Sequence, residues 1–471
     1  MTSFPKIRFV KDIKAGMPLV VLFQKASEIP AGLFVSGELK KYFSDKKKKD
    51  FLEIRTPGNT IFAICADKEI TDSEREKIRR NAAKAMEKPV DKKSGDIAIF
   101  DCTPSKSLIE PALEGLLLAT YSFRKYKTVK KPLDVTFYTN GTHANLLGTI
   151  NSCRAVYICR DLINEPPNSL NAVKLSKEFA AMGKEAGFSV NVFGRKKIES
   201  LGMAGLITVN RGSVDEPTFT VMEYRHPKAK NKQPVVLVGK GVVMDTGGLN
   251  LKSYDGMLYM KSDMSGAAAV ASVMYAVALS QLPLYVVALV PSTDNRPSGN
   301  ATVSGDVIKM MNGVTVEVMN TDAEGRLILA DALVYAQKYD PLLVIDIATL
   351  TGAASAAIGR SGTVVMGNAE FYSFSLLETC GYEVHERIVR FPLWDDYKKM
   401  IESKIADIKN VGNRHAGAIT AGKFLECFVD YPWIHLDIAG PAFIEEKDGY
   451  RNFGGTGVGV RLLYRFLEKL F

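Results

Sequence analysis

Histidine is scarce in this chain, with five in 471 residues, and the six cysteines (Cys65, Cys102, Cys153, Cys159, Cys380 and Cys427) form no CxxC pair. Zinc knuckles and disulfide scaffolds need closely spaced ligands or thiols, so neither is indicated. No serine sits in a GxSxG elbow and there is no Cys-His signature, which removes local support for a covalent nucleophile. A phosphate loop is missing too: the tempting GKG has Gly241 after Lys240, where GxxxxGK[ST] requires a hydroxyl residue. No apolar run reads as long enough to span a bilayer. The opening stretch, MTSFPKIRFVKDIKAG, has no apolar signal-peptide core. These absences lead us to expect a cytoplasmic protein in a reducing compartment, with no membrane partner.

At this length one core is too small a plan, and two domains are expected. Hydrophobic residues make up 46% and charged residues 24%, the balance of a globular protein. The net charge of +9 permits attraction to polyanions. The most basic run, Lys46 to Lys49 in SDKKKKDF, is flanked by Asp45 and Asp50 and has no ladder of aromatics for stacking bases. It reads as a solvated loop.

Over residues 1–140, short β-branched runs (PLVVLF, TIFAICAD, DIAIFDC, LDVTFYT) alternate with the helical patterns SEREKIRRNAAKAMEK and SLIEPALEGLLLATYSFRKYK. That is a small N-terminal α/β domain, and nothing in it looks catalytic. A helical stretch over 141–164 connects it to residues 165–471 before NEPPNS breaks the pattern. There the runs PVVLVG, LYVVALV, TVEVM, LLVIDIATL and TVVMG are nearly continuous in apolar residues. The fold class expected is therefore α/β in two domains, the larger C-terminal one built on a mainly parallel sheet covered by helices. Its helices are SGAAAVASVMYAVALS and RLILADALVYAQKY.

Ligands of such sheets collect beyond the carboxyl ends of the strands. One segment after a strand delivers Lys240, Asp245 and Lys252 among glycines; Asp263 precedes the small-residue helix; NTDAEGR delivers Asp322, Glu324 and Arg326. Each alone has an ordinary explanation: a lone DxE is usually solvated, Asp263 would cap a helix, and the lysines would be surface charges. Together they place four carboxylates at what reads as one edge of one sheet, and such a group needs cations. Oxygen donors suit magnesium, manganese or a carboxylate-bridged zinc pair. Two metals about 3.5–4 Å apart are a recurring hydrolytic device, and the lysines and arginine would then bind charge that develops in the transition state. Among the histidines, His435 reads as a core residue and His415 as a candidate cleft wall, while His143, His226 and His385 read as surface or structural. DIATLTGA, from Asp346 to Ala353, is a further strand-end loop able to hold substrate.

NTDAEGRL resembles the signature of the leucyl aminopeptidase (cytosol aminopeptidase) family of dinuclear metallopeptidases. VGKGVVMDTGGLNLK, MKSDMSGAAAV, IDIATLTGA, ADIKNVGNRHAGAITAGKFL and HLDIAGPAF resemble its other blocks in the same order, over roughly residues 155 to 471. The resemblance implies release of N-terminal residues from peptide substrates, with a leucine-like preference. It implies two divalent metal ions per subunit (zinc or manganese, magnesium possible). Lys240, Asp245, Asp263 and Glu324 would bind the tighter metal, and Asp245, Asp322 and Glu324 the more exchangeable one. Lys252 would polarise the scissile carbonyl, and Arg326 would hold a bicarbonate ion acting as general base. Met260, Thr349 and Gly352 fall where the family lines its side-chain pocket. A homohexamer is also implied. The chain departs from the family pattern at Asn250, where a small serine or cysteine is usual, and at Pro441 and Phe443, where threonine and tryptophan are commoner. GNATVSGDV also lacks the usual proline before Gly305. The alternatives are another two-metal hydrolase and an added DNA-binding regulatory role, which some bacterial members have. For the latter the net charge is permissive, but no nucleic-acid-binding motif accompanies it.

Overall fold

The structure, a computed structural model, describes residues 2–11, 17–30, 36–44, 50–56, 59–87, 95–128 and 134–471. The lysine run of SDKKKKDF lies outside the described residues. Two compact units are present: Met1–Tyr157 with Tyr382–His385 and Glu446–Phe453, and Ile158–Gly381 with Glu386–Glu445 and Gly454–Phe471. A long helix, His143–Asn164, contains the first division between them. The two short later segments that group with the first unit left no mark in the sequence.

The first unit holds a six-stranded sheet in the order Lys6–Phe9, Thr136–Thr139, Ile97–Asp101, Leu19–Phe23, Asn59–Cys65, Phe51–Thr56. All its pairs are parallel except the last. Leu19–Phe23 is buried throughout, as a central parallel strand should be. Helix Asp72–Ala83 starts at Thr71, whose hydroxyl accepts from Glu74 N at 3.3 Å, and helix Ile109–Thr120 packs in the same unit.

The second unit is built on nine strands. Their path is Ile388–Arg390, Thr363–Gly367, Trp433–Asp437, Leu343–Ala348, Val235–Gly239, Tyr285–Asn295, Thr218–Arg225, Ser189–Phe193, with Gly241–Asp245 also paired to Tyr285–Asn295. The central pairings are parallel, as the unbroken apolar runs imply. Thr363–Gly367 is parallel to Ile388–Arg390 but antiparallel to Trp433–Asp437. Helices Ser265–Leu279 and Gly325–Ala336 are buried along almost their whole length, consistent with their lack of a polar face. By length and composition Tyr254–Leu279 could cross a membrane, contrary to the expectation from the sequence. However, 94% of its most apolar window is buried inside the protein.

One expectation about this unit is corrected. TVEVM is not a strand of the main sheet. Thr315–Val318 lies in a separate three-stranded sheet, antiparallel to Asp306–Lys309 and parallel to Ile408–Lys409. Its burial alternates, with Val316 and Val318 inward and Glu317 outward, so only one face is covered. The loop carrying Asp322 and Glu324 therefore approaches from a second sheet rather than along the edge of the first.

Candidate metal centre and active site

Lys240 comes directly after strand Val235–Gly239, and its backbone is fixed on both sides. Its N–H donates to Ile347 O at 3.2 Å, and its carbonyl accepts from Ala267 N at 2.9 Å. The side chain, 3% exposed, ends among acids, with Nζ 2.8 Å from Asp263 Oδ2 and 2.8 Å from Glu324 Oε1. It also donates to Thr349 O at 3.0 Å. A Cβ on Gly325 would lie 2.4 Å from Lys240 Cε, so the glycine of NTDAEGRL leaves the lysine its channel. Burial pulls the Lys240 pKa down, yet Asp263, Glu324 and Asp245 together override it and hold the ammonium well above its ordinary value.

A second lysine faces the other two acids. Lys252 Nζ is 2.7 Å from Asp245 Oδ2 and also pairs with Asp322 Oδ1. Its pKa too is raised: burial opposes the charge, and Asp245 and then Asp322 outweigh that. Asp245 ends strand Gly241–Asp245, and its Oδ1 accepts from Gly247 N and Asn295 Nδ2, each at 2.9 Å. Gly247 has φ +87°, a backbone that returns the chain toward Asp245 and that a side chain would strain. Burial, and next Asp245, push the Asp322 carboxyl up to about 6. Burial also raises Asp263 well above the usual carboxylate range, against the pull of Lys240.

Asp263 is not the helix cap its position first offers. The N-cap of Ser265–Leu279 is Met264, with no side-chain bond, and Asp263 Oδ1 instead accepts from Thr349 Oγ1 at 2.7 Å. Met260 opens the turn Met260–Ser262, and its carbonyl accepts from Asp263 N at 3.3 Å. Gly352 begins helix Gly352–Ile358, with nothing within 4 Å of the place a Cβ would take. The loop between Thr349 and Gly352 is held by Asp437, whose Oδ1 accepts from Leu350 N at 3.1 Å and whose Oδ2 accepts from Thr351 Oγ1 at 2.7 Å.

Arg326 is buried in helix Gly325–Ala336, and among the described residues no carboxylate pairs with its guanidinium. It donates to Asn410 O at 2.7 Å, while its Nε has no hydrogen-bond partner among the described residues. Burial pulls its pKa down to about 10. A buried guanidinium with a free N–H is a place for an anion. His435 is a core residue, its Nδ1 2.6 Å from Asp346 Oδ1; His415 is exposed, and its bonds are to Asn413 and Arg414 rather than to the cluster. Asn295, Thr321, Asn410 and Asp437 were not singled out in the sequence. Of these, Asn295 and Asp437 carry a usable signal: each closes a strand, Tyr285–Asn295 and Trp433–Asp437, a strand-end position like that of Asp245.

The residues present fit a pair of divalent cations. Carboxylate oxygens of Asp245, Asp322 and Glu324 lie within 4.8 Å of one another. Asp263 Oδ2, Asp322 Oδ1 and both oxygens of Glu324 are buried and receive no directed hydrogen bond, though lysine ammoniums stand near three of them. An all-oxygen set with one amine suits manganese, magnesium or carboxylate-bridged zinc.

Residues 157–464 match the model of the cytosol aminopeptidase family catalytic domain. The chain belongs to that family. A probable cytosol aminopeptidase of Chlorobium phaeobacteroides is 40% identical over 94% of this chain and 97% of its own. One from Chlorobium limicola is 45% identical over 77% and 75%. Among solved structures, a variant of tomato leucine aminopeptidase matches with TM-score 0.86 at 25% identity, covering 99% of this chain and 97% of that one. The bottromycin maturation enzyme BotP in complex with Mn matches with TM-score 0.84 at 28% identity, covering 96% and 99%. This aminopeptidase is thus a peptide hydrolase acting at N-termini, with a divalent-metal requirement expected of its family.

Proposed function

We propose that the aminopeptidase works through a dinuclear centre held by Lys240, Asp245, Asp263, Asp322 and Glu324. Lys240, Asp263, Asp245 and Glu324 would take the tighter ion, and Asp245, Asp322 and Glu324 the more exchangeable one. The observation that carries this reading is the pairing of buried Lys240 and half-buried Lys252 with four acids, where the buried oxygens of Glu324 receive no directed hydrogen bond among the described residues. When bound, such a pair supplies an activated water and an electrophile for the peptide carbonyl. Lys240 would give up its proton to join the ion, a loss that a nearby dication favours. Lys252 would stay charged and steady the oxyanion that develops on the scissile carbonyl. Arg326 would hold a bicarbonate ion, whose contribution there would be a general base. Met260, Thr349 and Gly352 would line the pocket for an apolar, leucine-like N-terminal side chain. Zinc or manganese is the proposed metal, a homohexamer the assembly and the cytoplasm the location.

The test is hydrolysis of leucine p-nitroanilide. Activity should require manganese or zinc, disappear with a chelator and return on metal addition. Glu324→Ala and Lys252→Ala should abolish it. A chelator-treated enzyme with full activity would refute the metal-centre reading.

A further inference from the structure

The two loops that bring acids to this site leave different sheets, and Asn250 ties them together. Although the residue as a whole is exposed, its Oδ1 is turned inward. That oxygen accepts from Thr321 N at 2.7 Å and from Ser304 Oγ at 3.0 Å. In return, Asn250 N donates to Thr321 Oγ1 at 2.8 Å. The single hydroxyl proton of Thr321 goes to the closer acceptor, Gly247 O at 2.6 Å, rather than to Asn250 Oδ1 at 3.0 Å. Thr321 immediately precedes Asp322, Gly247 lies two residues after Asp245, and Asn250 lies two before Lys252. The lock therefore spans the distance between the Asp245–Lys252 loop and the Asp322–Glu324 loop.

We infer that Asn250 is a positioning residue: with Thr321 it sets the separation of Asp245 and Lys252 from Asp322, and so tunes the more exchangeable metal position. The inference rests on the dinuclear reading above. A side chain one carbon shorter has no acceptor where Oδ1 stands and leaves the N–H of buried Thr321 without this partner. Asp322, next to Thr321, is the one ligand proposed for the weaker ion alone, Asp245 and Glu324 serve both, and Lys240 and Asp263 make no bond to Asn250 or Thr321, so the effect should fall chiefly on the weaker ion. Groups that orient metal-binding side chains typically matter 10- to 100-fold in metal affinity.

The experiment is calorimetric titration of manganese into the metal-stripped full chain, for wild type, Asn250→Ala, Thr321→Val and Thr321→Ser, with an unfolding temperature for each. Wild type should take up two equivalents. Asn250→Ala and Thr321→Val should weaken the weaker equivalent about tenfold or more and leave the tighter one within about threefold. Thr321→Ser, which keeps the hydroxyl, should behave as wild type. Wild-type affinity for both ions in Asn250→Ala and Thr321→Val overturns the inference. So does equal weakening of both ions alongside a large fall in unfolding temperature, which would mark a merely structural brace. A wild-type chain that binds no manganese at all overturns the dinuclear reading itself, and the inference with it.

Discussion

Gly325→Ala separates the position of Lys240 from the stability of the fold. The new methyl would sit 2.4 Å from Lys240 Cε, 2.6 Å from Nζ and 2.8 Å from Cδ. Reaching an ordinary contact of about 3.5 Å requires the lysine end to move by about 1 Å. That end cannot swing freely, since it is buried and held by Asp263, Glu324 and Thr349 O. The helix itself gains at most roughly 0.5–1 kcal/mol, the figure for a helix interior, since Gly325 is its first residue. Overpacking costs about 1–3 kcal/mol, so net stability should shift by only about 1–2 kcal/mol. A misplacement of about 1 Å at a catalytic centre costs on the order of 100-fold in rate. Steady-state kcat/KM on leucine p-nitroanilide with saturating manganese, beside a thermal melt, reads both quantities. Near-wild-type kcat/KM in a folded Gly325→Ala would refute the argument that this channel fixes the amine.

Other expectations concern groups away from the candidate metal centre. Asp331 is fully buried, its Oδ2 accepting from Leu206 N at 2.9 Å, and burial raises its carboxyl to about 8. The unfolded chain releases this proton near pH 4 and the folded one only near 8, so stability should fall by up to ~1.4 kcal/mol per pH unit across that window. Asp331→Asn should flatten the slope in denaturant titrations between pH 5 and 8; an unchanged slope would assign it to other groups. Asp346 accepts from Trp433 Nε1 at 2.6 Å and faces His435 Nδ1 at 2.6 Å. Trp433→Phe strands one buried oxygen at a cost of about 1–3 kcal/mol. It should lower the melting temperature by several degrees while kcat/KM stays within about twofold.

Much of the fold and site was legible in the residues alone. The all-apolar runs marked the central parallel strands because a strand covered on both faces has no polar side to show. The strand-end rule gathered Lys240, Asp245, Asp263, Asp322 and Glu324 because charged residues in loops after apolar strands stand out. Sheet membership was not legible: Thr315–Val318 is as β-branched as its neighbours, and only the outward Glu317 hinted at a half-covered strand. Nor was the supporting layer. Asn295, Thr321, Asn410 and Asp437 act by hydrogen bonds to residues distant in sequence; a strand-end position marks Asn295 and Asp437, but nothing beside any of the four names its partner. The division of labour proposed for the two lysines was likewise hidden, since both are the same residue type beside the same glycines.

The second sheet gives the site one more property. Asp245 hangs from the nine-stranded sheet and Asp322 from the three-stranded one. An ion shared between them, as proposed, would be a clasp joining two separately hydrogen-bonded bodies of the same unit. Ligation would then resist any opening that parts them, by an amount growing with the logarithm of free metal over its dissociation constant. The weaker ion would serve as mortar as well as catalyst, and its departure would loosen a seam in the fold.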